Sequence, residues 1–153
     1  MLTYVQGDLL TSAAQTLVNP VNTVGVMGKG LALQFRQRYP DMFRAYQSAC
    51  RTGTLSVGHL WLYRTPQKWI LNFPTKTDWR RPSDLGFIDQ GLQDFVRIYA
   101  DHGITSVAFP ALGCGHGELN WSAVRPLMAR YLGALPIDLL VYVPHVLPRV
   151  PRA

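Results

Sequence analysis

Acidic residues are scarce in this chain. Nine Asp and Glu stand against fifteen Lys and Arg in 153 residues, for a formal net charge of +6. A basic balance favours an anionic partner, but an excess of this size does not by itself specify nucleic acid. Cysteine is nearly absent. Cys50 and Cys114 make neither a disulfide framework nor a zinc site, so a reducing, cytoplasmic compartment is expected and no metal is. No basic stretch precedes the first apolar residues. The first basic residue is Lys29 and Asp8 interrupts the early apolar stretch, which argues against a secretory signal. Residues 9–28 carry no charge, yet Gln15, Asn19, Pro20 and Asn22 exclude a membrane span. Two common nucleotide motifs are missing as well. A P-loop needs glycine where Thr23 stands and Ser or Thr where Gly30 stands. A dinucleotide fingerprint begun at Gly28 needs glycine where Leu33 stands. Kinase and dehydrogenase readings fall with them.

What is present suits one domain of ordinary size with a sizeable core: 48% of residues are hydrophobic and 16% charged, too apolar for a disordered chain. Short apolar runs at Leu2–Val5, Thr16–Asn19, His59–Tyr63, Trp69–Phe73, Ser106–Leu112 and Asp138–Val143 read as strands. Helices are expected from about Leu31 to Arg38, from Pro40 to Cys50 with Gly53 closing it, from Asp84 to His102 and over about 121–133. In the third of these, Ile88, Leu92, Phe95 and Tyr99 share one face at helical spacing. Strands and helices mostly alternate after residue 30, which predicts an α/β sandwich with helices on both faces of the sheet.

Two glycine-rich loops follow strands. One is Gly28-Lys29-Gly30. The other is Gly113-Cys114-Gly115-His116-Gly117, which runs on to Asn120-Trp121 at a helix start. Such loops either cradle phosphates with main-chain N–H groups or simply turn the chain from strand to helix. Together with Gly7-Asp8-Leu9 after the first strand, Val18-Asn19-Pro20-Val21-Asn22 after the second, Leu31-Ala32 and the closing Val141-Tyr142-Val143-Pro144, they resemble the macrodomain family over roughly residues 1–145. The resemblance implies a three-layer α/β/α sandwich with a mixed, mostly parallel central sheet that binds ADP-ribose. Within the family, Met27-Gly28-Lys29-Gly30-Leu31-Ala32 and Asn72-Phe73-Pro74-Thr75-Lys76 are similar to the DarG-type branch. The implied activity is removal of ADP-ribose from thymidine in single-stranded DNA, and the implied role is the antitoxin of a DarT-type toxin.

On that resemblance Lys76 is the catalytic residue, acting as an amine nucleophile or as charge beside the departing base. Asp8 is the adenine contact, with Gly7, Leu9, Tyr142 and Pro144 around the adenosine. Asn22 is expected on the distal ribose and Asn19 behind it. Gly28, Lys29, Gly30 and Leu31 form one phosphate loop; Gly113, Cys114, Gly115, His116 and Gly117 form the other; Thr75 touches the same ligand. Cys114 lacks a base and is read as a small residue rather than a nucleophile. Some relatives carry an acid in the second glycine loop. Here the aligned position is Gly117, between His116 and Glu118, so the acid/base helper stays open. Glu118 itself reads as a residue near a helix start. Residues 64–81 hold five basic residues against one acid, so Trp79, Arg80 and Arg81 are candidate DNA contacts, arginines on phosphates and indole on an unpaired base. A reader that binds without cleaving and a deacylase of ester-linked ADP-ribose are the competing readings. A monomer is expected, with no cofactor and no membrane. The Pro- and Arg-bearing tail at 146–153 reads as a linker to a further domain.

Overall fold

The structure, a computed structural model, describes residues 1–144; the boundary at 145 and the tail at 146–153 lie outside the described residues. Six strands form one sheet: β1 (Leu2–Val5), β2 (Thr16–Val21), β3 (Trp61–Arg64), β4 (Trp69–Pro74), β5 (Ser106–Pro110) and β6 (Asp138–Tyr142). Their spatial order is β1-β6-β5-β2-β4-β3. Every neighbouring pair is parallel except the β3–β4 hairpin at one edge. The chain is therefore the mixed, mostly parallel sandwich expected.

Four helices cover the sheet. The two on one face are α1 (Gly30–Arg38) and α2 (Pro40–Thr52); the two on the other are α3 (Leu85–Ile98) and α4 (Trp121–Leu132). Side chains alternate across the inner strands. Leu17, Ile70 and Ala108 pack with Phe35, Met42 and Tyr46 of the first pair. Val18, Leu71 and Val107 pack with Ile88, Leu92, Phe95, Val124 and Met128 of the second. Both faces being covered, the inner strands are mostly apolar instead of alternating, with Asn19 and Asn72 as buried polar exceptions. Helix α3 approaches closely because Gly91 has no side chain. A Cβ there would lie 2.3 Å from Cζ of Phe73.

Element ends differ from the sequence reading by capping chemistry. The third helix starts one residue late because Asp84 stays extended and its carboxylate accepts from the Gly86 N–H at 2.7 Å. It ends at Ile98, and the chain turns through Gly103 at φ 75°. The fifth strand stops at Pro110, two residues early. The second strand instead runs on through Pro20 to Val21.

Pro20 marks the place where the sheet opens. β2 pairs with β5 only at Thr16 and Leu17, whereas it pairs with β4 along its whole length. Past Leu17 the β5 side of β2 needs no N–H, so a proline costs no ladder bond there. The chain leaves β2 toward β4 and β3, and leaves β5 toward β6. This is the switch point at which parallel α/β sheets hold ligands beyond their carboxyl ends.

Candidate functional site

A cavity of about 1140 Å³ occupies that opening. Three chain segments wall it: the end of β2 with the first glycine loop, the segment 75–83 after β4, and the end of β5 with the second glycine loop. Helix α1 points its N-terminus inward. Its cap residue, Lys29, is extended and offers no side-chain cap, and Gly30 follows at φ 55°. The first N–H groups of the helix are thus left for an anion. The two glycine loops meet here, since a Cβ on Gly30 would stand 2.9 Å from Cδ2 of His116.

The three glycines of the second loop do different work. Gly113 takes φ 73°. Gly117 is packed, because a Cβ there would fall 2.3 Å from Oγ of Ser83 and 2.4 Å from the carbonyl oxygen of Gly113. Gly115 has open space, with nothing within 4 Å of its Cβ position. The loop is pinned to the opposite wall by the Ser83 N–H donating to the Gly117 carbonyl at 2.9 Å.

Lys76 stands between these walls. Thr75 continues the sheet by donating its N–H to the Val21 carbonyl at 2.9 Å. The next side chain crosses the cavity, and Nζ of Lys76 donates to the His116 carbonyl at 2.8 Å. Partial burial holds its ammonium below the ordinary lysine range; Lys29 pushes the same way and Glu118 opposes both. The geometry offers anion-binding N–H groups, a large ligand-sized opening and an amine easier to deprotonate than usual. Among the described residues no cluster of three or more His, Cys, Asp or Glu could hold a metal ion, and no helix is long and apolar enough to cross a membrane.

The family model described as the Macro domain matches residues 18–128. The chain belongs to the macrodomain family. It is 48% identical over 149 residues to the DNA ADP-ribosyl glycohydrolase of Mycobacterium tuberculosis, an alignment that takes in 94% of this chain and 42% of the relative. Among solved structures it resembles the macrodomain of Mycobacterium tuberculosis DarG, with a TM-score of 0.91, 47% identity and coverage of 95% of this chain and 99% of that one. It also resembles Thermosipho africanus DarTG in complex with ADP-ribose, with a TM-score of 0.92, 43% identity and coverage of 98% and 43%. The chain spans less than half the length of these DNA ADP-ribosyl glycohydrolase relatives.

The macrodomain places the expected site residues in three groups. Asn22, Gly28, Lys29, Gly30, Leu31, Thr75, Lys76, Trp79, Arg80, Arg81, Gly113, Gly115, His116 and Gly117 all line the cavity. Gly7, Asp8, Tyr142 and Pro144 gather instead at the adjoining ends of β1 and β6, outside the lining. Gly7 takes φ 128° and a Cβ there would lie 3.9 Å from Cε1 of Tyr142. Asp8 is exposed, and its Oδ1 accepts from the Leu10 N–H at 3.0 Å, so it caps the short 3-10 turn Leu9–Thr11. The third group is structural. Leu9 is 4% exposed and belongs to the core. Asn19 is fully buried, and its amide donates to Oδ1 of Asn72 at 3.1 Å. Cys114 lies off the cavity lining, with its thiol pushed up to about 11 by burial and so protonated at neutral pH.

Asn22 lines the cavity and also shapes the chain that follows it. Its Oδ1 accepts from the N–H groups of Val24 and Val26 and from the Tyr46 hydroxyl, and its amide donates to the Val26 carbonyl at 2.7 Å. It holds the 22–26 strap in shape, the task expected of Asn19. Two further cavity residues were not expected as ligand contacts from sequence: Ser83, which was not named, and Glu118, which was read as a residue near a helix start. Ser83 is 6% exposed and its Oγ has no partner. Glu118 lines the cavity and is a non-glycine residue at φ 66°, a left-handed conformation disfavoured for side chains with a Cβ. Its place directly after the last glycine of the loop was the available signal.

Proposed function

We propose that this macrodomain is a DNA ADP-ribosyl glycohydrolase that removes ADP-ribose from thymidine in single-stranded DNA, and that it serves as the antitoxin to a DarT-type toxin. The observation that carries the reading is Lys76, an amine of lowered proton affinity reaching into a cavity between two glycine loops. The relatives named DNA ADP-ribosyl glycohydrolase support the substrate class, and the DarTG complex supports ADP-ribose as the ligand. The diphosphate lies against the N–H groups of the two loops, where they replace its hydration. This puts the anomeric carbon of the distal ribose toward Lys76. The neutral amine attacks that carbon. The glycosidic C–N bond breaks, its electron pair leaves with the thymine nitrogen, and that nitrogen takes the proton released by the newly formed secondary ammonium. Water then attacks the same carbon, releases ADP-ribose and returns the amine.

The experiment is turnover by the chain of ADP-ribosylated single-stranded DNA beside an ester-linked ADP-ribosyl peptide. Cleavage of the DNA adduct alone is expected. Preference for the ester points to a deacylase, and binding of free ADP-ribose without turnover of either substrate points to a reader.

A further inference from the structure

Large apolar side chains that stay exposed gather at the mouth of the cavity. Val24 is 49% exposed, Val26 36% and Trp79 44%. Single exposed valines are ordinary; two at alternate positions of one strap beside an exposed indole are a patch. The two valines are not loose. Asn22 threads the strap with its side chain, the Tyr46 hydroxyl donates to the Asn22 carbonyl at 2.6 Å, and Nε2 of Gln47 donates to the Gly25 carbonyl at 3.2 Å. The strap is tied to the Trp79 segment by the Thr23 hydroxyl, which donates to the Thr77 carbonyl at 2.9 Å. Val26 and Trp79 both line the cavity, while Val24 stands outside it. A set of mostly part-buried hydrogen bonds therefore holds the strap that presents these apolar side chains to solvent.

The charges around this patch select its occupant. Lys29, Arg80 and Arg81 line the same cavity. The guanidinium of Arg80 lies 4.6 Å from the Trp79 ring centroid. Apolar and aromatic side chains among cations fit a single-stranded nucleic acid, which presents base faces and phosphates together. They fit a duplex poorly, because stacking and pairing cover the base faces.

We propose that Val24 and Val26, with Trp79, form a seat for the unpaired bases that flank the ADP-ribosylated nucleotide. The seat rests on the DNA-substrate reading above and adds to it a source of single-strand selectivity at the mouth of the cavity. Flanking bases lie against the valines and the indole, and the adjoining phosphates lie near Arg80 and Arg81.

The test compares two substrates, ADP-ribosylated thymidine as the free nucleoside and the same adduct within a short single-stranded oligonucleotide. The readout is the ratio of their kcat/KM values, which general damage to the pocket does not move. The unaltered chain is expected to favour the oligonucleotide. The double variant Val24→Ser, Val26→Ser is expected to lower the ratio by about tenfold, and Val24→Ser alone by less. An unchanged ratio in the double variant overturns the seat, as does an equal loss on both substrates. Turnover of the nucleoside adduct with no gain from flanking nucleotides overturns the seat and leaves the glycohydrolase reading standing. Turnover of neither adduct by the unaltered chain defeats the glycohydrolase reading, and the seat falls with it.

Discussion

Lys76 and Glu118 act on each other through the cavity they share. Burial and Lys29 make the Lys76 amine easier to deprotonate, and the Glu118 carboxylate makes it harder. In the proposed mechanism the nucleophilic form is the neutral amine, so turnover is expected to rise with pH through a midpoint below the ordinary lysine value of 10.5. Removing the Glu118 charge removes the opposing influence. Glu118→Gln is therefore expected to move the rising limb to lower pH, which a pH–rate profile measures. A shift to higher pH would show that the carboxylate does not govern this lysine. Lys76→Ala is expected to lower turnover roughly a hundredfold or more while ADP-ribose binding, followed by calorimetry, persists. Lys76→Arg is expected to fail as well, because guanidinium keeps its proton and cannot attack; an active Arg variant would assign Lys76 a purely electrostatic role. At this scale the sequence was uneven. The place of Lys76 in the cavity was legible because it follows an apolar strand and a proline within a recognisable pattern. The work of Asn22 was not, because one of its partners is the hydroxyl of Tyr46 on α2, which no local pattern reports. Glu118 looked like a residue at a helix start because nothing in one dimension shows which way a left-handed residue faces.

The second glycine loop separates structure from ligand binding within five residues. Three glycines at alternate positions announced a loop of unusual backbone, and that much could be read directly. Which glycine packs and which faces the cavity depends on Ser83, thirty-odd residues upstream and across the site. Gly115 has free space at its Cβ position, while Gly117 has Ser83 Oγ and the Gly113 carbonyl within it. Gly115→Glu is therefore expected to leave the melting temperature close to that of the unaltered chain and to abolish ADP-ribose binding, by placing bulk and negative charge at the proposed diphosphate position. Gly117→Ala is expected to cost about 1–3 kcal/mol and to weaken binding together with stability. Thermal melts and calorimetric titrations on the two variants check this. Equal loss of stability in both would mean that the loop tolerates no side chain anywhere, and the distinction drawn between them would be wrong.

At the scale of the molecule, the sheet places a basic rim around the ligand opening. Strand existence was legible because inner strands covered on both faces are continuous apolar runs. Their order was not, because β1 joins β6 across nearly the whole chain and no local signal records that pairing. The opening between β2 and β5 follows from that order, and it sets the 75–83 segment with Arg80 and Arg81 beside the cavity. Under the proposed function single-stranded DNA binds at this rim and releases counterions, so its affinity is expected to fall with salt at a slope of about 0.7 for each phosphate neutralised. The two arginines are not equivalent. Arg80 is held 3.2 Å from Oδ2 of Asp78, an exposed pair that partly offsets its charge. Arg81→Ala is therefore expected to flatten the salt slope by about 0.7, and Arg80→Ala by less. Free ADP-ribose, bound against the glycine loops, is expected to keep its affinity in both variants. Anisotropy titrations of a single-stranded oligonucleotide over a range of salt, beside calorimetry with ADP-ribose, measure the two effects separately. An unchanged slope in the Arg81 variant would remove this rim from the DNA path, and matched losses for both ligands would place the arginines inside the ADP-ribose site instead.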